Sequence, residues 1–245
     1  MKTFRIAQIS DLHLDATHPQ WEVNARRAIN DAYAQNINLI IFTGDVVNNP
    51  QGYVYFQKLA NELRIPYRVI PGNHECNIKP DDPTTRNRIT AYRAALEHDH
   101  WVIQDAPRPL VGINSNLLNL TNDDEENEIR WLEDQLARED RGKVILFMHH
   151  APALKEIHEP DSYWTVRLPG RIDLFRVLKQ YEVQIVFHGH LHYYCTRVID
   201  GIRMISAPST AFPVIKPEYP KGDSQLGYLI IDISEEEVSH ERIIL

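Results

Sequence analysis

Leu39-Ile40-Ile41-Phe42-Thr43-Gly44-Asp45 opens on four apolar residues and breaks at a Thr-Gly-Asp turn. A short apolar run bounded by a turn signal reads as a strand buried on both faces. The polar residue after it then stands at the strand's carboxyl end. The same construction recurs on either side. Phe4–Ile9 reads as a strand ending at Asp11, and Tyr67–Ile70 runs into Pro71-Gly72-Asn73-His74. Val144–Phe147 leads into Met148-His149-His150, and Ile185–Phe187 into His188-Gly189-His190. Between these runs, Glu22–Gln35 reads as a helix with Val23, Ala28 and Ala32 among its apolar positions; Tyr53–Leu63, Thr84–Leu96, Glu126–Glu139 and Ile172–Tyr181 read likewise. Such βαβα alternation predicts an α/β fold with mostly parallel strands and helices packed on them. After His192 the rhythm changes. Tyr194–Ile199, Arg203–Ser206, Tyr228–Ile233 and Val238–Ile243 read as strands, and Asp200-Gly201 is a hairpin signal between the first two. We therefore expect one domain over residues 1–245, with a motif-bearing βα core at 1–192 and closing antiparallel strands at 193–245. Asp81–Thr85 and Pro213–Ser224 read as polar, proline-bearing loops placed to rim a site.

The bulk composition narrows the function. Hydrophobic residues make up 43% of the 245 and charged residues 24%, enough apolar material for a sizeable core. The 26 basic and 34 acidic residues leave a net charge of −8, which argues against a general affinity for nucleic-acid phosphates. A small anionic substrate remains compatible where bound cations dominate the local charge. Two cysteines without CxxC spacing make no disulfide framework, and no run approaches the length of a membrane helix. The expectation is a cytoplasmic protein with no membrane partner; a homodimer is compatible with this reading.

The polar residues at the five strand ends are Asp11-Leu12-His13, Gly44-Asp45-Val46-Val47-Asn48, Gly72-Asn73-His74-Glu75, Met148-His149-His150 and Gly189-His190-Leu191-His192. In open α/β sheets ligands collect at that edge. Carboxylate, amide and imidazole together suit Mn, Fe or Zn better than Ca. An Asp-x-His after a strand can aim both side chains at one point if the turn leaves the extended pattern. The glycines at 44, 72 and 189 permit tight turns around a shared centre. No Gly-rich nucleotide cradle and no Ser-His-Asp order competes for the chemistry.

In order and spacing, these five blocks resemble the calcineurin-like metallophosphoesterase superfamily from Asp11 to His192. The resemblance implies two packed mixed β-sheets flanked by helices, a four-layer α/β/β/α sandwich, and two divalent or trivalent metal ions (Mn, Fe or Zn). Asp11, His13, Asp45 and His192 would hold one ion; Asp45 would bridge to a second, held also by Asn73, His149 and His190. His149 is assigned in preference to His150. His74, with Asn73, would face the substrate phosphate, His74 acting as acid while a metal-activated hydroxide attacks. The sequence departs from purple acid phosphatases, which place a metal-binding tyrosine three residues after the bridging aspartate; here Asn48 stands there, so no tyrosinate-coloured iron site is expected.

Blander roles fit the remaining residues. His150 and His188 read as supporting or packing groups, and His18, His98, His100, His158 and His240 as surface or structural ones. Cys76 reads as a passive neighbour. Trp21, Trp101, Trp131 and Trp164 read as core or rim aromatics. The acidic run Asp123–Glu128 reads as a solvated helix start, where carboxylates favour the dipole. The tail, with its hairpin followed by Ala207-Pro208-Ser209-Thr210, resembles the bacterial cyclic-nucleotide phosphodiesterase branch, which includes glycerophosphodiester phosphodiesterases. The function expected is therefore hydrolysis of a small phosphodiester such as a 3',5'-cyclic nucleotide. A phosphomonoesterase or nucleotide pyrophosphatase of the same superfamily is the alternative. A repair nuclease fits the acidic balance poorly. An interaction scaffold, as in the retromer subunit, fits poorly with a full set of ligands.

Overall fold

Apolar residues alternate along the strands so that successive side chains enter different cores, and this builds two sheets back to back. The computed structural model describes residues 3–76, 83–120 and 123–245. In chain order the elements are β1 (Phe4–Ile9), α1 (Pro19–Ala34), β2 (Leu39–Thr43), α2 (Tyr53–Asn61), β3 (Tyr67–Ile70), the one-turn α3 (Asn73–Cys76), α4 (Pro83–Leu96), β4 (Trp101–Ile103), β5 (Leu110–Gly112), α5 (Asp123–Leu136), β6 (Ile145–Phe147), α6 (Gly170–Gln180), β7 (Ile185–His188), β8 (Cys195–Ile199), β9 (Ile202–Ser206), β10 (Gly227–Ile233) and β11 (Val238–Ile244). One sheet has the order β11-β10-β1-β2-β3, the other β4-β5-β6-β7-β9-β8.

The period of two is explicit in β2. Leu39 and Ile41 join Ile6, Ile70, Ile145, Phe147, Ile185, Phe187 and Ile205 in the core between the sheets. Ile40 and Phe42 face the other way, against Ala25, Ala28, Ile29 and Ala32 of α1 and Phe56 and Leu59 of α2. On the far side, Val111, Leu146 and Val186 meet Leu132 and Leu136 of α5 and Leu174, Phe175 and Leu178 of α6. The result is the four-layer α/β/β/α sandwich that the resemblance implies. Among the described residues no helix is long and apolar enough to cross a membrane.

Several local expectations change. Val23 is 56% exposed, and α1 instead buries Ala25, Ala28, Ile29 and Ala32. The helix begins three residues earlier than expected because Pro19 occupies its first turn, where a missing N–H costs nothing. Residues 81 and 82 of the expected Asp81–Thr85 loop lie outside the described residues, and from Pro83 the chain is already helical. β4 and β5, both three residues long, were not foreseen. The closing strands are not all antiparallel neighbours. β9 pairs antiparallel with β8 but parallel with β7, whereas β10 and β11 form an antiparallel pair against β1 in the other sheet. The Asp200-Gly201 hairpin is as expected, with φ of 53° and 83°, the left-handed pair that a type I′ turn demands. The acidic start of α5 is not simply solvated. Glu128 is buried, accepting from the backbone N–H of Asn114 (2.8 Å) and pairing with His100 (3.0 Å).

Candidate metal centre

All five ligand-bearing turns converge on one cleft, but from two sheets. β1, β2 and β3 deliver Asp11 and His13, Asp45, and Asn73 with His74; β6 and β7 of the other sheet deliver His149, then His190 and His192. Ligand atoms of Asp11, His13, Asp45 and His192 lie within 4.8 Å of one another, and so do those of Asp45, His149 and His190. Every one of these residues is buried.

The backbone departs from the extended form to achieve this. Asp11, His13, Asp45, His190 and His192 have φ of 56°, 50°, 48°, 68° and 50°. Left-handed geometry costs a non-glycine residue roughly 1 kcal/mol or more, and it persists only where surroundings over-determine it. Here the turns after β1 and β2 run alongside each other: the N–H groups of Asp11, His13 and Leu14 donate to the carbonyls of Gly44, Asp45 and Val46. Gly44 sits at φ +88°; Gly72 and Gly189 serve by close approach instead, since a Cβ there would collide with Asp45 and with Ser10 and Asp11.

Hydrogen bonds to one nitrogen of each ring determine what the other can do. His149 Nδ1 donates to the Thr43 carbonyl (2.7 Å), His192 Nδ1 to the Phe212 carbonyl (2.8 Å) and His190 Nε2 to the Tyr163 carbonyl (2.9 Å). The opposite nitrogens are thereby left as lone-pair donors. His149 Nε2 then lies 3.0 Å from Asn73 Oδ1 and 3.5 Å from Asp45 Oδ2, while His192 Nε2 lies 3.0 Å from His13 Nε2 and 3.3 Å from Asp11 Oδ1. Lone pairs held this close in a buried site repel unless a cation stands between them, so the donor set fits divalent or trivalent ions. The electrostatics agree. Against burial, which opposes charge, the Asp45 carboxylate lifts His149 to about 9, and Asp11 likewise raises His192. A potential that holds a proton there also holds a metal cation. Burial keeps His13 neutral at about 3 and His190 at about 4, the form in which imidazole ligates. Burial opposes the charge of Asp11, but His192 and His149 together hold it ionised at about 2.

Asp45 divides its two oxygens. Oδ1 accepts the backbone N–H of His74 (2.8 Å), and Oδ2 lies 3.7 Å from His13 Nε2 and 3.5 Å from His149 Nε2, one in each group. His74 itself donates Nδ1–H to the Asn48 carbonyl (3.1 Å), and its ring stands edge-on to His13 at 4.5 Å. Asn48, at the position of the purple acid phosphatase tyrosine, thus supports His74 through its backbone.

His150 and His188 take no part in either group. His150 Nδ1 meets Ser115 Oγ (3.1 Å); His188 donates from Nδ1 to the Gly189 carbonyl (2.9 Å) and accepts from Arg197 Nη2 (3.0 Å). Besides Tyr163, three contributors escaped the sequence reading. Glu75, within the quoted Gly-Asn-His-Glu block, is fully buried and accepts the backbone N–H groups of Asp45 (2.9 Å), Val47 (2.9 Å) and Gly72 (2.6 Å), clamping two ligand turns together. Burial and the Asp45 carboxylate push its carboxyl up to about 8. Ser209 donates to the Asp11 carbonyl (2.8 Å), and Phe212 supplies the carbonyl that fixes His192. Both lie in or just beyond the Ala207-Pro208-Ser209-Thr210 segment, the only hint the sequence offered.

These carboxylate and imidazole donors, buried where the two sheets meet and with His74 beside them, have the chemistry to hold metal cations at the edge of a cleft. The sequence pattern of the calcineurin-like phosphoesterases matches residues 4–194, and the chain belongs to that family. It is 31% identical over 183 residues to a probable glycerophosphodiester phosphodiesterase of Arcobacter nitrofigilis, covering 72% of this chain and 64% of that one. It is 25% identical over 226 residues to a 3',5'-cyclic-nucleotide phosphodiesterase of Nostoc sp., covering 84% and 78% of the two chains. In structure it resembles a dimetal phosphatase from Danio rerio with a TM-score of 0.66 at 12% identity, covering 98% of this chain and 95% of that one.

Proposed function

We propose that the protein is a binuclear-metal phosphodiesterase acting on a small phosphodiester such as a 3',5'-cyclic nucleotide. The observation that carries this is the position of Asp45 Oδ2 between His13 and His149. Asp11, His13, Asp45 and His192 would hold one cation, and Asp45, Asn73, His149 and His190 the second. Such a pair, when bound, supplies Lewis-acid polarisation of the phosphate and a nucleophile at neutral pH.

The chain's own groups supply the rest. His74 is oriented twice, its N–H on Asp45 and its Nδ1 on Asn48, which leaves Nε2 to carry a proton to the departing alkoxide. Glu75 and the paired turns hold Asp45 against displacement, so the charge pattern is set before substrate arrives. The flanks favour a diester. Phe212 lies 5.0 Å and Trp21 6.1 Å from the His13 ring; Tyr163 lies 5.0 Å and Trp164 5.6 Å from the His190 ring. Aromatic walls on both sides accommodate carbon on two ester oxygens of the phosphorus, whether two groups or one ring, where a monoester carries carbon on only one. The names of the two curated relatives point the same way.

The test is a panel of cyclic AMP, bis(p-nitrophenyl) phosphate and p-nitrophenyl phosphate with Mn²⁺-loaded protein. Higher kcat/KM on the diesters is expected. Turnover of the monoester alone would refute the diesterase reading and favour a phosphomonoesterase.

A further inference from the structure

Tyr163 sits on the segment between β6 and α6, and nothing in the motif set points to it. The residue is 61% exposed, yet it is tied to the cleft at both ends. Its backbone carbonyl accepts from His190 Nε2 (2.9 Å), and its phenol oxygen accepts from Asn73 Nδ2 (2.9 Å). Between those ties the ring lies against His190, with centroids 5.0 Å apart.

The segment that carries it is held firmly. The fully buried Arg171 donates to the carbonyls of Val166 (2.7 Å), Glu159 (2.7 Å) and Ile157 (3.2 Å) and to Thr165 Oγ1 (3.1 Å). The Glu159 carboxylate in turn accepts the backbone N–H groups of Leu154 (2.6 Å) and Lys155 (2.7 Å). Trp164 braces the Tyr163 ring edge-on at 4.9 Å and is itself fixed by Glu218, whose carboxylate accepts its indole N–H at 3.1 Å. The Pro213–Ser224 loop thus does rim the site. A rigid strap presenting a half-bare tyrosine is not explained by core packing.

The hydrogen-bond directions say what the phenol does. Asn73 turns Oδ1 towards His149 (3.0 Å) and Nδ2 towards the phenol, so the phenol oxygen uses a lone pair on Asn73 and keeps its own proton for another acceptor. We propose that Tyr163 donates this proton in a hydrogen bond to a non-bridging oxygen of the bound phosphate. The inference rests on the phosphodiesterase reading for the identity of the substrate. The donor is neutral, so it positions an anionic phosphate without competing with it for the cations. The backbone carbonyl that holds His190 is independent of the side chain, so the two roles separate by mutation.

Tyr163→Phe keeps the ring and the carbonyl and removes only the hydroxyl. Calorimetry on Mn²⁺-loaded wild type and variant, with inorganic phosphate as the probe, reads the lost contact directly. Phosphate affinity and kcat/KM for bis(p-nitrophenyl) phosphate are each expected to fall about 10-fold or more, as for a hydrogen bond to a charged group. Mn²⁺ stoichiometry should be unchanged and Mn²⁺ affinity should fall by less than phosphate affinity, since Asn73 Nδ2 loses its phenol partner but can turn to water. Phosphate binding is therefore read with Mn²⁺ held saturating. Unchanged phosphate affinity overturns the proposal. So does a loss of Mn²⁺ affinity matching the loss of phosphate affinity, which would make the phenol a support for Asn73 only. Phosphate binding is read without turnover, so a wild type that binds phosphate but hydrolyses no diester overturns the functional reading and leaves the decision on Tyr163 intact.

Discussion

His74 shows how one residue is set for one task. Its N–H on Asp45 and its Nδ1 on Asn48 hold the ring beside His13 without making it a member of either ligand group. His74→Ala should lower kcat on bis(p-nitrophenyl) phosphate by about 10²- to 10⁴-fold, the range for a lost general acid, with metal content unchanged. A variant that loses its metal instead would place His74 among the ligands. At this scale the sequence was informative because each candidate ligand directly follows a strand, so that its position could be read from the apolar run before it. It was uninformative where a residue acts across the fold. Glu75 receives N–H groups 28 and 30 residues away, and Ser209 reaches Asp11 across 198. Tyr163 bonds Asn73 across 90 residues, and no local pattern marks any of these contacts.

Among the elements, the one-turn α3 has more consequence than its length suggests, because Glu75 satisfies three buried N–H groups at once. Glu75→Ala leaves those donors without partners, at about 1 kcal/mol or more each. A fall in Tm of about 6 °C or more follows for a chain this size; a shift within error would show that the clamp is dispensable. The contact of His100, just before β4, with α5 is expected to depend on pH. His100 pairs with Glu128 (3.0 Å) and stacks on Trp131, and the Glu128 hydrogen bond and charge outweigh burial to raise the His100 pKa. A raised histidine contributes stability that is complete below its unfolded pKa, about 6.5, and disappears as pH climbs through the folded value. The Tm advantage of wild type over His100→Gln should therefore be greatest near pH 6 and shrink towards pH 9, by about 1 kcal/mol, since His100 is partly solvated while Glu128 is buried. An advantage that grows with pH would reverse the assignment. Elements were legible where they were long or led into a motif. Long periodic helices stood out, and so did the five motif strands, even the three-residue β6, whereas the equally short β4 and β5 lead into no motif. The parallel pairing of β9 with β7 was hidden because a hairpin signal fixes only the partner it joins, β8.

For the molecule as a whole, the decisive fact is that the centre belongs to neither sheet. β1–β3 bring one set of donors and β6–β7 the other, and the core between the sheets, from Ile6 to Phe187, holds the two sets in register. The layered architecture was legible only through the resemblance; the strand pattern alone predicted parallel pairing but not its division into two sheets. Asp45 joins the two halves, with His13 on one side and His149 on the other. Counting the Mn²⁺ ions bound per chain, in wild type and in Asp45→Asn, tests this most directly. The variant keeps a side-chain oxygen for the His74 N–H but removes the charge that the two proposed cations would share. The prediction is two ions in the wild type, and at least one lost from the variant together with its diesterase activity, by more than the roughly 100-fold that an outer partner of a metal ligand is worth. A wild type that binds one ion or none, or a variant that keeps two at undiminished affinity, would contradict it.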